Sequence, residues 1–484
     1  MHKIEQAIAG AIRARSHNAL ITETFDLARA QARTALDNGL QPFPVVIKDC
    51  FALESVPMTC ASRMLESFTP PYTATVVRRL IENGACVIGK ANLDEFCMGT
   101  SSALGAFGPV KSGLSDESSI NEDWLIPGGS SGGPAVAVQM GFAEMGLGSD
   151  TGGSTRNPAA FNGLVGLKPT YGICSRFGLV PLVNSMDAPS IFARTPEECA
   201  RYLKMMLGVD PLDATSLDLP RERRRVEKLE GLRVGIPKEM HNDTLSSDAW
   251  AVWNAAAAAL ERAGARIEMV SLPYTKYSLI CYHVLAAVDV ASNMARFDGI
   301  SFGHRSKSED ESTSSTYGLL AASRSESLNE VVRGRIFAGN YYLMKENRAK
   351  YYEQALKVRR LIADGMKKAL GEVDVLLTPV ACGPPPLYSD LSKGGFQRED
   401  ADDFYTQPVN LAGNPAISVP FGSSSEKGLP IGVQLIGAHF EDLLLTDIAR
   451  LRFDSCCKYR LVIGEVIKKI EEKSEVKRSS EMEV

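Results

Sequence analysis

The stretch GLGSDTGGSTRNP, Gly146 to Pro158, crowds four glycines, two serines and two threonines around Asp150 in an otherwise apolar neighbourhood. A second small-residue cluster, PGGSSGG, runs from Pro127 to Gly133, and the PAVAVQMGFAEMGL that lies between it and GSDTGGS opens as a buried helix. A glycine-serine loop at a helix N-terminus exposes backbone N–H groups that can hold a phosphate or a developing oxyanion. Phosphate fits poorly. Neither cluster supplies GxxxxGK[ST], and GLGSDTGG meets GxGxxG only loosely, its first GxG standing outside a strand-loop-helix unit followed by a suitable acid. A covalent reading fits better. The N–H groups of Thr151, Gly152, Gly153 and Ser154 can converge on one oxygen, because glycine takes such a turn without steric penalty, and Ser154 then presents its hydroxyl beside them.

A serine nucleophile needs a base, and no histidine lies between His17 and His241. A lysine kept neutral by burial can replace it, since desolvation lowers an ammonium pKa. Lys48 in VVIKD, Lys90 in VIGKAN and Lys168 in GLKPT each follow an apolar or glycine-rich run, and spacing does not choose among them.

Outward from this region, short apolar runs read as buried strands: Phe43 to Ile47, Ala85 to Gly89, Leu232 to Pro237, Val373 to Pro379, Ala416 to Pro420 and Ile431 to Gly437. Amphipathic stretches such as TATVVRRLIENG, AWAVWNAAAAALERAG and YYEQALKVRRLIADGMKKAL alternate with them. That alternation predicts an α/β fold, a large mixed or mostly parallel β-sheet flanked by helices on both faces. The chain reads as a single domain over 1–463, followed by a charged tail over 464–484 that frays.

Composition narrows the function. The 484 residues are 44% hydrophobic and 23% charged with a formal net charge of −5, which argues against a broad nucleic-acid surface. The ten cysteines are scattered and the six histidines lie far apart, none at metal-ligand spacing, so no metal site is expected. No run of eighteen apolar residues appears, so no membrane span is expected. The N-terminus, with Lys3, Arg13 and Arg15 against Glu5, is weakly similar to an organelle-import segment and reads as an ordinary first helix. The run Arg221 to Arg225 reads as a solvated face.

PGGSSGG followed by GSDTGGSTRNPAAFNGLVGLKPTYG resembles the two-part signature of the amidase signature family, and VVIKD is similar to that family's lysine element. The resemblance implies a Ser-cisSer-Lys triad: Lys48 as base, Ser130 as the bridging serine in a cis peptide, and Ser154 as nucleophile, with Ser130 and Ser154 at the family spacing of 24 positions. Within the family, TATVVRRLIENGACVIGKANLDEFCMG, VASNMARFDG, NLAGNPAISVP and GLPIGVQLIG resemble the glutamine-hydrolysing subunits of tRNA-dependent amidotransferases, from about Val45 to His439. That branch implies glutamine as substrate, with Arg335 holding its carboxylate, Asp403 its α-amino group, and Ser131 a further contact.

It also implies two partner subunits, of B and C type, with ATP and Mg2+ used at a partner, Glu-tRNA(Gln) held mainly by that partner, and no cofactor in this chain. The compartment it implies is the mitochondrial matrix, with the cytoplasm as the alternative. The competing readings are a free-standing amidase of another small or fatty amide and a non-catalytic assembly subunit. Cys50 replaces an asparagine common after KD and reads as a packing thiol. Phe302 stands where many relatives have tyrosine, and Pro134 and Asn414 interrupt standard runs.

Overall fold

The computed structural model describes residues 1–115, 120–219, 224–307, 315–394 and 397–453. The charged tail expected over 464–484, and the domain boundary before it, lie outside the described residues.

Eleven strands form one sheet: β1 (Leu20–Glu23), β2 (Phe43–Lys48), β3 (Ala85–Ala91), β4 (Met145–Asp150), β5 (Val165–Lys168), β6 (Ala188–Ala193), β7 (Arg233–Pro237), β8 (Arg266–Val270), β9 (Val375–Pro379), β10 (Ala416–Ser423) and β11 (Pro430–Gly437). Their spatial order is β1-β3-β2-β4-β6-β5-β10-β11-β9-β7-β8. The sheet is mixed, as expected, but not mostly parallel: β2 pairs in parallel with β3 and β4, and β7 with β8 and β9, while the other neighbours run antiparallel. The antiparallel centre arises because β5 and β6, and again β10 and β11, follow one another without a crossover helix between the paired edges.

Strand alternation sends successive side chains into two cores. Val45, Ile47, Val87, Leu147 and Ile191 pack on one face. Val46, Cys86, Ile88 and Phe192 pack on the other, against Ile4 and Ile8 of the first helix (His2–Arg13) and Val136 and Val138 of the helix Gly132–Gln139. Both faces are therefore covered, which is why β2, β3 and β4 are buried along their whole length.

The six strands expected from apolar runs are present, with ends shifted by one to three residues. The expected helices appear at Thr75–Glu82, Ser247–Arg262 and Tyr352–Glu372. Residues 145–150 were expected only as a small-residue cluster. They form β4, and the helix Arg156–Phe161 follows, so GLGSDTGG does lie in a strand-loop-helix unit.

Two helices bring distant sequence to the sheet edge near β4. The helix Ser278–Met294 packs along the helix Glu330–Leu343, and Gly339 makes their close approach possible: a Cβ there would run into the carbonyl oxygen of Ala287. Gly339→Ala should destabilise the protein by about 1–3 kcal/mol through this overpacking, read as a lower midpoint in thermal unfolding.

Candidate active site

β2 and β4 are parallel neighbours, with Ile47 opposite Leu147, so their C-terminal ends deliver Lys48 and Asp150 to the same sheet edge. Lys48 is fully buried, and its Nζ donates to Ser130 Oγ at 2.7 Å and to Ser149 Oγ at 3.0 Å. The Gly129–Ser130 peptide is cis. Ser154 sits half-buried in the turn after β4, and its carbonyl accepts the N–H of Ser131 at 3.2 Å, which holds the two small-residue clusters together. Ser131 itself is fully buried, with its hydroxyl donated to the Ser149 carbonyl at 3.2 Å.

The three lysines that spacing left equal are separated by their partners. Lys90 donates to the Asp49 carboxylate at 2.7 Å. Lys168 donates to the backbone carbonyls of Pro169 and Asn414, at 2.9 and 2.7 Å. Lys48 alone of the three faces side-chain hydroxyls, one from each small-residue cluster: Ser130 of PGGSSGG and Ser149 of GLGSDTGG.

Asp150 and Arg156 brace the turn between them. Asp150 accepts the N–H groups of Gly153 at 2.9 Å and Thr155 at 3.2 Å, and pairs with the buried Arg156 guanidinium at 3.0 Å. Burial alone would raise this carboxyl, but the Arg156 charge and its hydrogen bonds win and hold it at about 2. One sequence expectation changes here. The Gly153 N–H is committed to Asp150, so it does not point at an oxyanion; Thr151, Gly152 and Ser154 remain as the backbone donors of the turn. Thr151 is fixed from its side chain, which donates to Asp187 at 2.7 Å.

Arg335 and Asp403 stand on remote helices, Glu330–Leu343 and Gln397–Asp403. Thr406, three residues after Asp403, donates its hydroxyl to the Gly152 carbonyl at 2.6 Å and so pins that segment to the turn that carries Ser154. The Asp403 carboxyl is pushed well above its ordinary value by burial and by Glu399 and Asp402, against the opposing Arg335 charge and a 2.8 Å hydrogen bond from Gln407 Nε2. Glu399, one helical turn earlier, is pushed up to about 7, chiefly by burial.

Tyr282 was missed by the sequence reading. It comes from the helix Ser278–Met294, feels both Arg335 and Asp403, and its hydroxyl lies where a Cβ on Gly152 would fall, at 2.8 Å. The apolar run around it carried no signal beyond a buried helix. Phe302 packs its ring against Phe68 and Phe297. Cys50, read as a packing thiol, is fully buried and does turn toward the Lys48 side, with its sulfur 3.9 Å from Ser149 Oγ.

The sequence profile described as Amidase matches residues 4–445. The chain belongs to the amidase family. It is 47% identical over 459 residues to the A-type subunit of mitochondrial glutamyl-tRNA(Gln) amidotransferase from Xenopus tropicalis, covering 90% of this chain and 87% of that protein. The corresponding Homo sapiens protein is 46% identical, with 90% and 86% covered. Among solved structures, the A-type glutamyl-tRNA(Gln) amidotransferase subunit of Thermotoga maritima superposes with a TM-score of 0.70 at 34% identity, covering 93% of each chain. The large mixed sheet flanked by helices is thus that of an amidase-type enzyme.

The buried ion pair gives a test of what holds the turn. Arg156→Met strands the Asp150 charge and should cost about 3–5 kcal/mol of stability, measured by denaturant unfolding at pH 7. Because the Asp150 pKa is depressed to about 2 from 3.8, its stabilisation is complete above the higher value and disappears as pH falls through the lower one. The penalty of the Arg156→Met variant should shrink as pH falls, starting above that window, because without the guanidinium burial raises the stranded carboxyl.

Proposed function

We propose that this chain is the glutamine-hydrolysing subunit of a glutamyl-tRNA(Gln) amidotransferase. The observation that carries the reading is the 2.7 Å contact between Lys48 Nζ and Ser130 Oγ, beneath a half-buried Ser154 whose backbone is tied to Ser131. Such an arrangement can pass a proton from the Ser154 hydroxyl through Ser130 to the Lys48 amine.

Ser154 Oγ then attacks the carboxamide carbon of glutamine, and the negative oxygen of the tetrahedral adduct is held by the N–H groups of Thr151, Gly152 and Ser154. Each such donor contributes on the order of 3 kcal/mol to lowering the barrier. Collapse of the adduct breaks the C–N bond, and the proton on Lys48 returns through Ser130 to the departing nitrogen, which leaves as ammonia. Water attacks the glutamyl ester by the same route, and glutamate is released. Arg335 takes the α-carboxylate of glutamine and Asp403 its α-ammonium. Ser131 fixes the loop through the bond from its hydroxyl to the Ser149 carbonyl, and its acceptor lone pairs serve as the further substrate contact.

The ammonia is consumed at a partner subunit that uses ATP and Mg2+ to convert Glu-tRNA(Gln) to Gln-tRNA(Gln), in a heterotrimer with B- and C-type subunits. The names of the relatives support the amidotransferase assignment and a mitochondrial location, which we place in the matrix.

In the assembled complex, Ser154→Ala should lower glutamine-dependent ammonia release by about 10⁴-fold or more while transamidation from added ammonium salt continues. Surviving glutamine turnover would overturn the nucleophile, and faster release from a fatty amide would overturn the substrate. The raised carboxyls add a second test. A substrate ammonium entering between Asp403 and Glu399 favours their ionised forms, so glutamine binding should release protons near pH 7. Calorimetry on the Ser154→Ala protein in two buffers of different ionisation enthalpy measures that release.

A further inference from the structure

Two thiols beside Lys48 have no part in the acyl transfer. Cys50 follows Lys48 by two residues, and Cys97 closes the turn Glu95–Cys97, where Phe96 and Cys97 hold left-handed φ values of 50° and 64°. That backbone aims Cys97 into the core, where it is 6% exposed; Cys50 is wholly buried. Their sulfurs converge on one oxygen. Ser149 Oγ lies 3.9 Å from Cys50 Sγ and 3.7 Å from Cys97 Sγ, and the same oxygen accepts from Lys48 Nζ at 3.0 Å.

We propose that Cys50 and Cys97 are an oxidisable pair that a hydroperoxide closes to a disulfide, and that closure draws Ser149 and Lys48 out of their working positions. The Cys97 thiolate attacks one peroxide oxygen, the O–O bond breaks, and the departing oxygen takes a proton to leave as water or an alcohol. Cys50 sulfur then attacks the Cys97 sulfenic acid, the S–S bond forms, and a second water leaves with the Cys50 proton. Two thiols are oxidised by two electrons and one hydroperoxide is reduced.

The surroundings divide the roles. Cys97, 6% exposed where Cys50 is wholly buried, is the sulfur a peroxide reaches first, and its thiol is pushed down to about 6, chiefly by the neighbouring Cys50, so it is the attacking sulfur. Cys50 is pushed up by burial and stays a thiol until it resolves the sulfenic acid. Hydrogen peroxide is close in size to the water that must reach the glutamyl ester of the same site. Closure removes both thiol partners of Ser149 and tethers the chain two residues from Lys48 to the turn at Cys97. A displacement on the order of 1 Å in such a relay costs about 100-fold in rate.

The loss of turnover rests on the triad proposed above; the disulfide does not. The assembled complex is treated with hydrogen peroxide, alkylated, digested and examined by mass spectrometry, with glutamine-dependent ammonia release measured before and after dithiothreitol. A Cys50–Cys97 cross-linked peptide, an activity loss of about 100-fold and its recovery on reduction are expected. Cys50→Ser and Cys97→Ala should each keep their turnover under the same treatment. Absence of the cross-link, or equal inactivation of both variants, overturns the proposal, and a cross-link with full turnover overturns the coupling to Lys48. A reduced enzyme without glutamine turnover would fault the triad instead, and the cross-linked peptide would still decide the pair.

Discussion

The structure turns on one buried guanidinium. Arg156 has no solvent exposure, and removing such a charge from water costs several kcal/mol unless every N–H finds an acceptor. Here they do: Nε and one terminal nitrogen take the two oxygens of Asp150, the same nitrogen reaches Asn410 Oδ1, and the other reaches the Thr406 carbonyl and Gln434 Oε1. All five donors of the fork are used. The acceptors come from β4, from the segment that follows Asp403, and from β11, the last two hundreds of residues after β4 in sequence. The turn that carries Ser154 is thereby fastened to the segment bearing Asp403, and the two hold a fixed spacing.

The glycines of β4 and its neighbours serve that same closeness. A Cβ on Gly148 would press on the Phe192 ring, Thr155 Oγ1 and Ser131 Oγ, and one on Gly146 would meet the Pro134 carbonyl. The strand is therefore thin because the helix Gly132–Gln139 and the turn after β4 must both lie against it. Its small residues answer to packing as much as to oxyanion geometry, which corrects the simpler reading of the motif as a cradle of free N–H groups. Gly153, whose N–H goes to Asp150, shows the difference most directly.

This also explains what was legible beforehand. Strands such as β2, β9 and β11 announce themselves by apolar runs, because both of their faces are covered by large side chains. β4 and β5 carry glycine and lysine where a strand usually carries branched residues, and β8 is exposed along most of its length at the sheet edge, so none of the three stood out. The seats of Lys48, Ser130 and Ser154 came from the motif, and their contacts came from the fold. Tyr282 had no motif and Asp403 no spacing relation to Ser154; both reach the turn only through long-range packing of helices. Arg224 and Arg225, from the basic run read as a solvated face, pair with Asp374 and Asp447; Arg221 to Arg223 lie outside the described residues.

Burial by itself does not make a lysine a base, and this protein carries the comparison within one sheet. Lys90 is locked in an ion pair with a carboxylate and has no route to hand a proton on. Lys168 is pushed down to about 7, first by burial and then by Arg156, yet its amine points at two backbone carbonyls, which accept a hydrogen bond but have no proton to give. Lys48 meets two hydroxyls, groups that both donate and accept, and the nearer is one peptide from the residue that binds the Ser154 carbonyl. A proton can move along such a chain in either direction within one turnover, which acyl transfer to and from a serine requires. The chemistry follows from what the buried amine faces, and β2 and β4, as parallel neighbours, determine that.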